Sequence, residues 1–175
     1  MVMAVVLSPS LGAETPAARA AEAVARSLCA LVRATVEGVV REAFIIGPAE
    51  DQLTEIADQA GCGLIEAHSA GEGLAQAAAR SRSEIAFVLL GGFAPQSSFV
   101  EEAGDLLRDA QAFHGVLLRR FPNTLMTRLA PSLAEPVGVF AQCAALRDAA
   151  PRDLKHLIRR LKIRRTLDAR AQKLV

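Results

Sequence analysis

One short apolar run, Ile85-Ala86-Phe87-Val88-Leu89-Leu90, is bounded by turn residues and ends in Gly91-Gly92. A run of this length reads as a strand buried on both faces, most often central in a parallel sheet. The pattern around it alternates between strand and helix. Val5 to Leu7 predicts a first strand, closed by the turn Ser8-Pro9-Ser10-Leu11-Gly12. Pro16, with Thr15 as N-cap, opens a helix towards Val36, and Val24, Leu28, Leu31 and Val32 recur at helical spacing. Ala43 to Ile46 predicts the second strand. Glu50 or Asp51 starts a second helix that stops at Gly61, Gly63 to Glu66 a short strand, and Gly71-Glu72-Gly73 a helix to Arg80.

After the central strand, Pro95 to Ser98 starts a helix with Phe99, Leu106 and Leu107. Gly115 to Leu118 and Val137 to Phe140 read as strands. Between them Pro122, Pro131 and Pro136 break any long element. Pro151 stands at the start of an amphipathic helix with the stripe Leu154, Leu157, Ile158 and Leu161. The alternation predicts an α/β fold, a three-layer α/β/α sandwich on a mainly parallel mixed sheet.

Composition narrows the class. A chain of 175 residues without internal repeats reads as a single domain, 1–175. No apolar run reaches the ~18 to 20 residues of a membrane span. The apolar start, Met1 to Leu7, has no basic region ahead of it and reads as a strand rather than an export signal. Cys29, Cys62 and Cys143 form no CxxC and read as buried thiols in a reducing cytoplasm. The net charge of +1 is unevenly placed: residues 147–175 carry ten Lys and Arg against three acids. This basic end suits an acidic partner or an anionic membrane surface. It lacks interleaved aromatics, so nucleic acid is not the expected ligand.

The order of pieces resembles the family-2 glycosyltransferases, in their nucleotide-diphospho-sugar transferase (GT-A) fold. Ser8-Pro9-Ser10-Leu11-Gly12-Ala13-Glu14 resembles that family's opening I-P-T-L-N-x-E. Leu31-Val32 and Val36 to Glu42 resemble the run into its second strand. Asp51 to Asp58 followed by Ala60-Gly61-Cys62 resembles D-G-T-x-E-I-A-D and A-G-C. Gly71-Glu72-Gly73 resembles a G-R-G helix start, and Leu157 to Leu161 with Leu167 to Arg170 the last helix and strand. The resemblance implies a nucleotide-side half, about 1–95, and an acceptor-side half, 96–175; no cofactor is expected, and a nucleotide-sugar donor only if the protein is active.

The chemistry departs from that family. Ile46-Gly47-Pro48-Ala49 stands where D-G-G-S would grip base and ribose, leaving Asp51 as the remaining acid of that loop. Leu90-Gly91-Gly92 stands where a D-x-D binds Mg²⁺ or Mn²⁺, and these side chains offer a hard cation no oxygen. No metal site is expected. Glu72 replaces an arginine and would repel a diphosphate. The E-D pair that supplies the acceptor base aligns with Asp153-Leu154, with His156 following.

The resemblance therefore implies Pro9, Ser10, Glu14, Asp51, Gly91 and Gly92 as nucleotide-binding candidates and Asp153 and His156 as catalytic ones. Each also has a structural reading: Gly91-Gly92 as a strand-to-helix turn, Asp51 as a helix N-cap, Glu14 and Asp153 as acids favoured near a helix start. The expectation is a glycosyltransferase-like protein without standard metal-dependent transfer. Its alternative is a non-catalytic partner or subunit, contacting another protein or a second copy of itself.

Overall fold

The computed structural model describes residues 2–11, 16–108, 115–149, 151 and 153–174. Eight strands lie among them: β1 (Val2–Leu7), β2 (Val40–Gly47), β3 (Gly63–Glu66), β4 (Ile85–Leu90), β5 (Phe93–Pro95), β6 (Val116–Arg120), β7 (Pro136–Gln142) and β8 (Thr166–Lys173). The helices are α1 (Ala17–Val36), α2 (Asp51–Ala60), α3 (Ala70–Arg80), α4 (Ser98–Arg108), α5 (Leu125–Leu129), α6 (Cys143–Ala149) and α7 (Leu154–Arg160), with a 3₁₀ turn at Pro131–Leu133.

The strands form one sheet in the order β3-β2-β1-β4-β7-β6-β8-β5. β3, β2, β1 and β4 are mutually parallel; β7 runs against β4 and β6, β8 runs with β6, and β5 runs against β8. The mainly parallel mixed sheet expected from the sequence is the one observed. β1 is buried along its whole length, as a central strand covered on both faces must be. Its alternate residues divide the core. Val2, Ala4 and Val6 pack with α1, α2 and α4, while Met3, Val5 and Leu7 pack with α3, α6 and α7. This is the three-layer sandwich.

Local chemistry explains the boundaries. The buried positions of α1, Ala20, Ala21, Val24, Ser27, Leu31 and Ala34, recur at three- and four-residue steps. Gly61, at φ +65°, ends α2 in the left-handed conformation that a side chain disfavours. On α3, the Ser69 side chain accepts the Glu72 N–H at 3.3 Å, and Glu72 Oε2 accepts the His68 N–H at 3.4 Å. Glu72 is thus spent on capping its own helix. A Cβ on Gly73 would lie 2.2 Å from Ile46 Cγ2, so this glycine lets α3 press onto β2.

Several elements differ from the sequence reading. β1 and β2 begin three residues earlier, because pairing with neighbours extends them beyond their most apolar positions. The proline-broken stretch folds as α5 and the 3₁₀ turn, and α6 forms where the apolar pattern predicts no element. The basic end is divided between α7 and the strand β8. Of the cysteines, Cys143 is buried, Cys62 half-buried and Cys29 exposed.

Gly91-Gly92 leads into a strand, not a helix. It joins β4, in the middle of the sheet, to β5 at its edge. Two residues span that gap because the sheet curls until β5 lies against α1. The open side of β8 is then covered by side chains. Glu102 on α4 accepts the Asp168 and Ala169 N–H groups, each at 2.8 Å, and Gln96 Oε1 accepts the Arg170 N–H at 3.1 Å.

Candidate functional site

In an open α/β sheet, ligands lie beyond the carboxyl ends of the parallel strands. Here β1, β2 and β4 end together. Leu7 is level with Ile46 on one side and with Leu90 on the other. The turn after β1 is drawn onto both neighbours. The Ser8 N–H donates to Ile46 O at 2.8 Å, and the Gly91 N–H donates to Leu7 O at 2.8 Å. Ser8 is buried, its hydroxyl 2.7 Å from that of Ser10, and the Leu11 N–H closes the turn onto Ser8 O at 3.1 Å.

The glycines at this junction are packing positions. A Cβ on Gly91 would lie 2.9 Å from Leu7 O and 2.9 Å from Pro9 Cδ, so Pro9 occupies the space that the missing side chain leaves. A Cβ on Gly47 would lie 2.6 Å from Leu53 Cδ1 and 3.1 Å from Ser8 Cβ. Gly92 has φ +88°, and its N–H donates to Ala23 O at 3.0 Å and Ser27 Oγ at 2.9 Å. Ser27 is fully buried; its hydroxyl also accepts the Phe93 N–H at 3.2 Å and donates to Phe93 O at 2.9 Å. Both glycine N–H groups are therefore committed inside the fold, and what approaches their backbone is Pro9 and α1.

Polar groups on the neighbouring loop differ in character. Asp51 is the first residue of α2 and is exposed. Glu50 precedes it in extended conformation and makes no capping hydrogen bond. Its Oε2 is buried, with no hydrogen-bond partner among the described residues. A buried acceptor without a protein donor is costly, so water or another donor has to satisfy it. In the sequence Glu50 reads only as a helix start, since no spacing signals burial of one of its oxygens. Glu14 lies outside the described residues.

Asp153 and His156 come to the same end of the molecule. β7 runs against β4, so it begins where β4 ends. Glu135 just precedes β7 and pairs with Lys155 at 2.8 Å, which fixes the start of α7 there. That hydrogen bond and the charge of Glu135 hold the Lys155 ammonium above its usual pKa. Asp153 is the N-cap of α7: its Oδ1 accepts the His156 N–H at 2.7 Å. The sequence places Asp153 inside the first turn of a helix opening at Pro151; α7 instead opens just after it, at Leu154, so Asp153 caps the helix from outside. At the far edge, Arg119 donates to Ala134 O at 2.6 Å. Burial, and then the charge of Arg170 in register with it on β8, lower its pKa.

No protein-family model matches the sequence, and no curated protein matches it. Solved structures do match the fold. A mycobacterial protein superposes with a TM-score of 0.61 at 20% identity, over 99% of this chain and 65% of that one. Glucosyl-3-phosphoglycerate synthase from Mycobacterium tuberculosis, in complex with Mn²⁺, UDP-glucose and phosphoglyceric acid, superposes with a TM-score of 0.60 at 16% identity, over 92% of this chain and 65% of that one. HddC from Yersinia pseudotuberculosis, complexed with GMP-PN, gives 0.62 at 10% identity, over 99% of this chain and 93% of that one. The chain thus spans just under two thirds of the length of these mycobacterial proteins.

The Mn²⁺ of the synthase complex invites a test of the residues at the end of β4. A divalent cation of that kind takes oxygen ligands, and Leu90, Gly91 and Gly92 bring no side-chain oxygen. The Gly92 carbonyl accepts the Leu174 N–H at 2.8 Å. Among the described residues, no group of three or more His, Cys, Asp and Glu could hold a metal ion. These residues do not fit the cation. These superpositions give the chain a nucleotide-diphospho-sugar transferase-like fold.

Proposed function

We propose that this chain is a glycosyltransferase-family-2-like protein that binds a nucleotide sugar beyond the carboxyl ends of β1, β2 and β4, without standard metal-dependent transfer. The observation that carries the reading is the buried, donorless Glu50 Oε2 at the end of β2. It would accept a hydrogen bond from a nucleobase N–H or a ribose hydroxyl. Ser10, Asp51 and Glu14 supply further polar contacts, and Pro9 with Gly91-Gly92 shapes the floor. Residues 1–95 form the nucleotide side and the rest the acceptor side. Its three cysteines, none of them paired, suit the cytoplasm.

A second reading, a non-catalytic partner or subunit, is favoured by Asp153. An acceptor hydroxyl must lose a proton as it attacks the sugar, and Asp153, with His156 following it, is the candidate for that task. One Asp153 oxygen is already bound to the His156 N–H. Thermal unfolding with UDP- and GDP-sugars, with and without Mn²⁺, tests both readings. A sugar nucleotide at ~100 times its Kd stabilises the native state by about 2.7 kcal/mol. For a chain of this size that raises the midpoint by roughly 5 to 11 °C. We expect such a shift without Mn²⁺ and its loss in Glu50→Ala. No shift with any sugar nucleotide overturns the proposal, and a shift that requires Mn²⁺ overturns its metal-free part. Binding without nucleotide release from the sugar selects the non-catalytic reading.

A further inference from the structure

Seven large apolar residues are exposed among the described residues, and five of them fall within thirteen positions. Phe121 is 50% exposed, Leu125 74%, Met126 69%, Leu129 79% and Leu133 62%. Neither α5 nor the 3₁₀ turn buries a single residue. Apolar side chains concentrated in this way mark an interaction surface rather than chance exposure.

The segment is held in shape. Thr124 and Thr127 form a reciprocal capping box, with the Thr127 N–H donating to Thr124 Oγ1 at 3.2 Å and the Thr124 N–H to Thr127 Oγ1 at 3.1 Å. Arg119 ties its far end back to β6 through Ala134 O. Leu125, Met126 and Leu129 are therefore displayed by hydrogen-bonded backbone, not by a loose chain.

Charge identifies the partner. From Val116 to Ala134 there is no acid, while Arg119, Arg120 and Arg128 are present. The first acid beyond, Glu135, is paired with Lys155. Apolar side chains to enter an acyl layer, set among arginines that meet phosphate headgroups, are the chemistry of an interfacial anchor. No helix among the described residues is long and apolar enough to cross a membrane. We infer that residues 121–133 dock this protein onto an anionic lipid surface, Leu125, Met126 and Leu129 inserting and Arg120 and Arg128 contacting headgroups.

Co-sedimentation of the full chain with vesicles tests this, independently of any nucleotide. The vesicles are phosphatidylcholine alone, or phosphatidylcholine with about one third phosphatidylglycerol, at low and at high salt. We expect binding to the anionic vesicles that weakens with salt. Leu125→Ser with Leu129→Ser should lower the affinity at least about tenfold. Arg120→Gln and Arg128→Gln should each lower it about fivefold. These side chains are exposed or half-buried, so unfolding midpoints should match the parent chain; if the leucine pair did perturb folding, the arginine variants carry the test. Failure to sediment with anionic vesicles at low salt, or equal binding by the variants, overturns the inference. So does self-association that the leucine variants disperse without any vesicle binding, which would assign the face to a second copy.

Discussion

At Gly91 a missing side chain is what lets two strands and a turn meet. Leu7 O and Pro9 Cδ both stand where a Cβ would be, and one of them is backbone and cannot swing aside. Gly91→Ala should therefore cost about 1 to 3 kcal/mol through overpacking, a fall in unfolding midpoint of roughly 2 to 4 °C per kcal/mol that calorimetry would read. An unchanged midpoint would mean that Pro9 is not held against β4. The same residue shows where a sequence reading is open. A glycine pair after an apolar strand is consistent with ligand access or with close packing, and only neighbours distant in the chain separate the two. Asp153 and Asp51 pose the same ambiguity, since a carboxylate near a helix start serves the helix and a ligand alike. Glu50 could not be singled out at all.

At the scale of elements, side chains complete what the strand ladders leave open. Glu42 on β2 receives the hydroxyls of Ser81 at 2.5 Å and Ser83 at 2.9 Å, and the Arg82 N–H at 3.3 Å. It fastens the turn between α3 and β4 to the other end of β2. Burial alone would raise its pKa; the bonds from Ser81, Ser83 and the backbone outweigh burial and hold it below its ordinary 4.5. A carboxyl whose native pKa is depressed contributes stability above its unfolded pKa and loses it as pH falls through the native one. Glu42→Gln should thus be destabilised against the parent chain at pH 7 by about 1 kcal/mol. That gap should close below pH 4.5, and urea unfolding across the acid range would show it. A gap independent of pH would rule out the charge as its source. Element types were largely legible beforehand, because burial on one face imposes its period on the residues. Boundaries and short pieces such as β5 were not, since three residues carry no period and β5 exists through its pairing with β8.

Over the whole molecule, the first ninety-five residues and the remainder share one sheet and one aromatic cluster. Phe87 of β4 lies 4.7 Å in ring centroid from Phe99 of α4 and 4.6 Å from Phe140 of β7. Phe87→Ala should cost about 3 to 5 kcal/mol while leaving unfolding a single transition, with far-ultraviolet circular dichroism and aromatic absorbance falling together. Two separated transitions would show that the halves fold apart. By itself the chain's pattern of apolar runs, turns and framework motifs determined the α/β class, the parallel core and the absence of carboxylates after β4. These are properties of residue type and short-range order, which the chain carries before it folds. Only the tertiary structure decided that Gly91-Gly92 is filled by Pro9, that the β4 end turns into a strand beneath α1, that Glu50 buries an oxygen, and that residues 121–133 stand uncovered. Each of those depends on which distant segments come into contact, and contact is set by packing the entire sheet and its helices at once.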